Sequence, residues 1–400
     1  MSNTNKRIFL SPPFVGAAER AAVRGAFDSG YVAPCGPQVD EFERRLAKLA
    51  GRKYAVAVSS GTAAIDLLMA ELGVDETWTV VAPTLTFIAT VGPAYHRGAK
   101  LVFVDSDATG NIDVSLLEEA LESLRVKLGS SKGRATPSDS KSTLGSESAI
   151  DVRSTLSDSK STLSDSKILV IGVDLYCNCC EYCAIVKLCR KFGAVFLTDA
   201  AEAVGAMRDG RPAGSAGLAG VYSFNGNKIV TTSGGGAIVT DDRGLAERAR
   251  KRAQQSREKC AWYEHREVGY NYRLSNILAA IGLAQLDRLP AILKKRKANY
   301  DWYARNFKGD LLSPASGANH WLTVAVLSSR RERDRLLRRL EAANIEARPV
   351  WKPLHLQPVF AKCRVFGGEV AEALFERGVC LPNGTGLKSI DFARIAACLS

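Results

Sequence analysis

Lys228 is the one residue of the stretch 221–240 (VYSFNGNKIVTTSGGGAIVT) that can act as an amine, and it stands between two β-like runs in a loop of small and polar residues. Asn225, Gly226, Asn227, Thr231, Thr232 and Gly234 to Gly236 surround it, and such a loop lets backbone pack close to a bound ligand. Upstream, residues 194–199 (AVFLTD) read as a buried apolar strand that delivers the carboxylate of Asp199 at its C-terminal end, where open α/β sheets bind ligands. A strand-end acid followed 29 positions later by a loop lysine fits pyridoxal phosphate, where the lysine forms the Schiff base and the acid holds the proton of the ring nitrogen. Taken alone, the two residues also suit an ordinary strand-end acid and a solvated lysine.

The elements that would position this pair alternate between strand and helix, the pattern of a parallel sheet covered by helices. Residues 54–58 (YAVAV) read as a short buried strand, and Ser59-Ser-Gly-Thr62 then opens a helix through Leu67, Leu68 and Leu72. Free amides and the positive end of the helix dipole at such a turn suit a phosphate, although α/β proteins also carry the turn without a ligand. Strands are expected at 79–82, 101–105 and 168–173, and helices from Phe87 through Ala94, at 113–124, 245–255, 275–289 and 291–307. Before them lie an extended arm with Pro12 and Pro13, and two helices at 19–27 and 39–49 joined by the loop 31–37.

With 400 residues and 46% hydrophobic content, the chain can bury one large and one small domain. Its 54 Lys and Arg against 42 Asp and Glu leave a net charge of +12, which suits a polyanionic ligand. No nucleic-acid motif accompanies that charge, so a diphosphate is preferred to a nucleic acid, with a merely basic surface as the plain alternative. Residues 1–20 contain no long apolar segment, and no run approaching the roughly 20 apolar residues of a membrane span is read, so a cytoplasmic protein without membrane attachment is expected. Ten cysteines are too sparse for a disulfide scaffold and are expected to be reduced.

Two segments break the regular pattern. STLSDSK occurs at 154–160 and again at 161–167, within a serine-, aspartate- and lysine-rich stretch of residues 129–167 that reads as a low-complexity insertion, too polar to bury a core. Cys177, Cys179, Cys180, Cys183 and Cys189 cluster just after the strand at 168–173. Without a second matching pair they are read as small buried residues rather than a zinc site, and no metal is expected.

The motifs at 59–64 (SSGTAA), 86–90 (TFIAT), 198–205 (TDAAEAVG), 223–228 (SFNGNK) and 269–276 (GYNYRLSN) occur in one order, and together they resemble the sugar aminotransferases of the DegT/DnrJ/EryC1/StrS family. The likeness runs from about Ile8 to the C-terminus, apart from the insertion. Through residues 348–360 (RPVWKPLHLQPVF) it is nearest in look to the members acting on UDP-linked 4-keto sugars in bacillosamine and pilin-glycan synthesis. The resemblance implies an aspartate-aminotransferase-like fold (pyridoxal phosphate fold type I), with a large domain at 1–288 built on a mostly parallel seven-stranded sheet and a small α+β domain at 289–400. It implies a homodimer that transfers an amino group from glutamate to a nucleotide-linked 4-keto-6-deoxy sugar.

By the same resemblance, Lys228 carries pyridoxal 5'-phosphate and moves protons, and Asp199 keeps the ring nitrogen protonated. Thr62 and Ser223 hold the phosphate, joined by Asn271 from the other subunit, Gly61 and Ala63 bind the cofactor beside them, and Phe87 stacks on the ring. Glu202 falls where relatives commonly have glutamine, near the ring hydroxyl. Trp351, Lys352 and His355 fall on the substrate side. A related dehydratase with the same fold carries histidine in place of Lys228, and a catalytically silent sensor of this fold is the remaining alternative.

Overall fold

The computed structural model describes residues 6–129 and 167–399. The repeat-bearing insertion lies outside the described residues, apart from its end residues 129 and 167.

Short runs of β-branched and small apolar residues form an eight-stranded sheet. Its spatial order is Tyr54–Val58, Gly236–Thr240, Ala219–Ser223, Val195–Asp199, Ile168–Val173, Thr79–Pro83, Lys100–Val104 and Arg364–Phe366. Only Gly236–Thr240 runs against the others. The eighth strand, one more than the sequence suggests, is Arg364–Phe366, whose half-exposed residues give little strand signal and which joins the sheet by pairing with Lys100–Val104.

Alternate residues of a strand point to opposite faces, so each of the strands except Arg364–Phe366 feeds two cores. Ala55 and Ala57 join one core, with Phe42, Leu46, Leu117 and Ile185 of the helices Pro37–Leu49, Val114–Gly129 and Tyr182–Phe192. Val56 and Val58 join the other, with Leu67 and Leu68 of Gly61–Leu72 and Leu245 of Arg243–Ala253. Burial on both faces explains why these strands read as continuous apolar runs.

A third core, containing Ile8, Tyr303, Leu336, Leu340, Ile345 and Ile395, holds a four-stranded antiparallel sheet and the helices Arg330–Ala342 and Ser389–Leu399. Between the cores runs one helix, Asn276–Asn306, where the sequence reads two, so residue 288 falls inside a helix. Pro290 sits within it, and burial of Leu289 and Ile292 on either side carries the helix past the missing N–H. Its 31 residues include a window long and apolar enough to cross a bilayer, a run the sequence reading passes over. Here the helix packs on Ala17–Asp28 and Pro37–Leu49 and buries Ala279, Ala280, Gly282 and Leu286.

Candidate active site

Lys228 lies in the connection between the neighbouring strands Ala219–Ser223 and Gly236–Thr240. The connection closes on itself: Thr232 N and Thr231 Oγ1 donate to the Phe224 carbonyl at 2.9 and 3.3 Å, and Lys228 N donates to Asn225 O at 3.0 Å. The Thr231 and Thr232 hydroxyls beside the lysine therefore bond to the loop's own backbone. The lysine side chain is 13% exposed, with Nζ 3.2 Å from Glu202 Oε1 and 4.2 Å from the centroid of the Trp321 ring. Both partners are buried.

Asp199, the last residue of its strand, opens on the same cavity as Lys228. Its Oδ2 accepts from Thr90 Oγ1 at 2.7 Å and its Oδ1 from the Ala201 amide at 3.1 Å. Thr86 Oγ1 lies 2.8 Å from Thr90 Oγ1. Because the Thr90 hydroxyl hydrogen is committed to Asp199, Thr86 must be the donor in that contact. Burial pushes the Asp199 carboxyl above its ordinary value, against the opposing pull of Thr90, Ala201 and Lys228. Burial raises Glu202 likewise, opposed by Lys228 and by the Tyr176 amide.

In the lining of the same cavity, register builds an anion cradle. Val58 and Ser223 both pair with Gly236, which brings the turn at 59–61 against the end of the strand Ala219–Ser223. A Cβ on Gly236 would fall 2.4 Å from the Ser60 carbonyl carbon and 2.5 Å from Gly61 N, and one on Gly61 would fall 3.1 Å from Ser223 Cβ. Ser60 caps the helix Gly61–Leu72 through Ala63 N at 3.0 Å. That occupies the Ala63 amide, while Gly61 and Thr62 are first-turn residues whose amides have no intrahelical acceptor. Gly61, Thr62 and Ser223 line the cavity, and Ala63 is buried behind them.

Phe87 and Trp351 form a further wall, with ring centroids 5.6 Å apart, and Tyr176 backs Trp351 at 5.3 Å. Tyr176 is held at φ 56°, and its hydroxyl accepts the Trp351 amide at 3.0 Å. Lys352 and His355 do not line the cavity. His355 places Nδ1 2.6 Å from Thr84 Oγ1 and Nε2 2.9 Å from Glu372 Oε1, so both ring nitrogens are engaged elsewhere. Asn271 is exposed and stays out of its own chain's cavity.

Thr90, Trp321 and Tyr176 belong to the site but are given no role by the sequence, although Thr90 ends the motif at 86–90; each meets a partner far away in the chain, 109 positions in the case of Thr90 and Asp199. Of the five clustered cysteines, Cys183 is exposed rather than buried as expected, on the outer side of the helix Tyr182–Phe192, and the other four are core residues. Cys177, Cys179, Cys180 and Cys189 are buried, and burial pushes their thiols up, to about 12 for Cys177. Among the described residues, no group of three or more His, Cys, Asp or Glu could hold a metal ion.

The residues fit pyridoxal phosphate: a lysine and a buried carboxylate share a cavity of about 730 Å³ with a glycine-dependent cradle whose amides and hydroxyls suit a phosphate. The sequence pattern of the DegT/DnrJ/EryC1/StrS aminotransferase family matches residues 13–127 and 155–400. EpsN of Bacillus subtilis (strain 168), whose name describes a pyridoxal phosphate-dependent aminotransferase, is 38% identical over 98% of this chain and 94% of its own length. The GDP-perosamine synthase of Caulobacter vibrioides is 32% identical, over 98% of this chain and 97% of its own. The crystal structure of the aminotransferase TlmJ from Streptoalloteichus hindustanus superposes with a TM-score of 0.80 at 28% identity, covering 98% of this chain and 97% of that one. The chain therefore belongs to the DegT/DnrJ/EryC1/StrS aminotransferase family and is a pyridoxal phosphate-dependent sugar aminotransferase.

Proposed function

We propose that the chain transfers an amino group from glutamate to a UDP-linked 4-keto-6-deoxy hexose in the cytoplasm, for surface glycan synthesis or protein glycosylation. The observation that carries this reading is the meeting of Lys228, Asp199 and the phosphate cradle of Gly61, Thr62 and Ser223 in the lining of one cavity. Bound pyridoxal phosphate supplies a carbonyl carbon and an electron-accepting ring.

The chain's own residues divide the remaining work. Gly61, Thr62 and Ser223 hold the phosphate. Asp199, fixed by Thr90 and Ala201, keeps a proton at the ring nitrogen. Lys228 would hold the cofactor through its amine and, with that amine free, would move protons. Glu202 is the counter-charge of that amine. Arg348 reaches the cavity wall with most of its side chain exposed, paired with Glu346 at 3.0 Å, and with the net charge of +12 it supports an anionic substrate such as a sugar diphosphate. A homodimer completes each site with Asn271 of the partner subunit, a reading supported by the exposure of Asn271 in its own chain.

The test is incubation of the purified protein with UDP-, GDP- and dTDP-linked 4-keto-6-deoxy hexoses and glutamate, read as a mass change of the sugar nucleotide. Conversion of the UDP sugar is expected. The GDP arm matters because a GDP-perosamine synthase is among the relatives, and preferential turnover there would overturn the nucleotide assignment. Turnover with alanine or glutamine but not glutamate would overturn the donor. Lys228→Ala should lose both turnover and the borohydride-reducible link to the cofactor; retention of that link on another lysine would sink the role given to Lys228.

A further inference from the structure

The Lys228 amine is held from two sides, and only one of them is a charge. Glu202 lies on one side, and the face of Trp321 covers the other, 4.2 Å from Nζ to ring centroid. Trp321 lies beyond the long helix Asn276–Asn306, 93 positions after the lysine (321 − 228), and is 3% exposed.

Its indole N–H donates to the carbonyl of Asn227, the residue before Lys228, at 2.8 Å. The same carbonyl accepts from the Ser11 hydroxyl at 2.8 Å. The peptide that carries Lys228 is thus gripped by the N-terminal arm and by the C-terminal part of the chain.

The grip is itself pinned. Arg296, fully buried, donates to the Trp321 carbonyl at 2.7 Å, the Asn383 carbonyl at 3.1 Å and Ser11 Oγ at 3.1 Å, so one guanidinium fixes both donors to Asn227. Asn319 accepts from the Trp321 amide at 3.0 Å and donates to the Glu202 carbonyl at 2.8 Å. Asn319 therefore ties the aromatic wall to the residue that bears the opposing carboxylate. A core role alone would require neither an indole N–H bond to this one peptide nor the placement of the ring face beneath Nζ.

We infer that Trp321 is a positioning residue for Lys228: its ring face and Glu202 define where Nζ sits, while its N–H, with Ser11, fixes the peptide from which the lysine projects. Cation–π contact is directional, since the ring face attracts an ammonium while its edge does not. Loss of the face frees the flexible four-carbon stem, and misplacement of a nucleophile by about 1 Å can slow a reaction by about a hundredfold.

The inference rests on Lys228 being the amine that takes the cofactor. Adding pyridoxal phosphate to the apoprotein condenses amine and aldehyde into a carbon–nitrogen double bond with loss of one water, and the absorbance change gives the rate. Pyridoxamine phosphate has no aldehyde, so its affinity reports the cradle without that bond. Trp321→Leu should slow bond formation by about tenfold or more and leave pyridoxamine phosphate affinity within about threefold. Trp321→Phe, which keeps a ring face and loses the N–H, should fall between Leu and wild type. Adding Ser11→Ala to it should slow the reaction by more than the product of the two single effects, because the Asn227 carbonyl then loses both donors.

An unchanged rate in Trp321→Leu, or a loss of pyridoxamine phosphate affinity in proportion to the loss of rate, would overturn the inference. Lys228→Ala serves as the control: a bond that still forms in that variant shows that the lysine is wrongly assigned, a failure distinct from that of Trp321.

Discussion

Oε1 of Glu202 lies 3.2 Å from Nζ of Lys228, and Oε2 of the same carboxylate accepts the Tyr176 amide at 2.9 Å. With 4% and 13% side-chain exposure, carboxylate and amine form a buried pair rather than a surface one. Removing one member of such a pair leaves the other charge in a poor solvent. Glu202→Ala should destabilise the apoprotein by about 3 kcal/mol. Glu202→Gln can still accept from Tyr176 and should lose less. Urea unfolding of the three apoproteins checks the order, and an Ala variant as stable as wild type would remove Glu202 from its role as counter-charge.

Asp199→Asn should retain cofactor but slow transamination by orders of magnitude, because a neutral amide cannot hold the charge of a protonated ring nitrogen. Thr90→Val removes one donor from the buried carboxylate and should cost about 1–3 kcal/mol, read as a smaller loss of kcat/KM than in Asp199→Asn. Near-normal rates in Asp199→Asn would show that another group protonates the ring.

Gly236 has room for no side chain, since a Cβ there would overlap Ser60 and Gly61. Gly236→Ala must push the turn at 59–61 away from Ser223, and overpacking of this kind costs about 1–3 kcal/mol. Pyridoxal phosphate affinity should fall by about tenfold or more. Equilibrium titration of the apoprotein measures it, and unchanged affinity would mean that the cradle does not hold the phosphate.

Asp174 is fully buried, accepting from Tyr182 Oη at 2.5 Å and from the Cys180 amide at 3.0 Å, and burial pushes its carboxyl up to about 7. The folded chain holds this proton more tightly than the unfolded one. The resulting stabilisation is complete below about pH 4, the ordinary carboxylate value, and is lost as pH rises through about 7. Asp174→Asn should flatten the fall in stability over that window by up to about 1.4 kcal/mol per pH unit. Urea midpoints at pH 5, 6 and 7 test this, and parallel pH profiles for the two proteins would refute it.

Asn271 lies on the surface, outside its own cavity. If it serves the partner subunit's phosphate, mixing inactive Lys228→Ala chains with inactive Asn271→Ala chains should restore activity, because one site of each heterodimer then draws both intact residues from different chains. No rescue, with both variants folded and dimeric, would leave Asn271 as a residue that only shapes its own loop.

The sequence by itself determined the alternation of strand and helix, the delivery of Asp199 at a strand end and the loop that carries Lys228, because these are local consequences of apolar periodicity and small-residue turns. Ordered motifs added the family. Tertiary structure alone decided the rest. Arg364–Phe366 becomes a sheet strand only because an edge was open beside Lys100–Val104, and Asn276–Asn306 stays one helix because packing on both sides of Pro290 outweighs a missing hydrogen bond. His355, placed on the substrate side by motif, is engaged with Thr84 and Glu372. Trp321 and Thr90 meet Lys228 and Asp199 across long stretches of chain, and no local pattern encodes such a meeting, because it depends on how the sheet, the long helix and the N-terminal arm pack against one another.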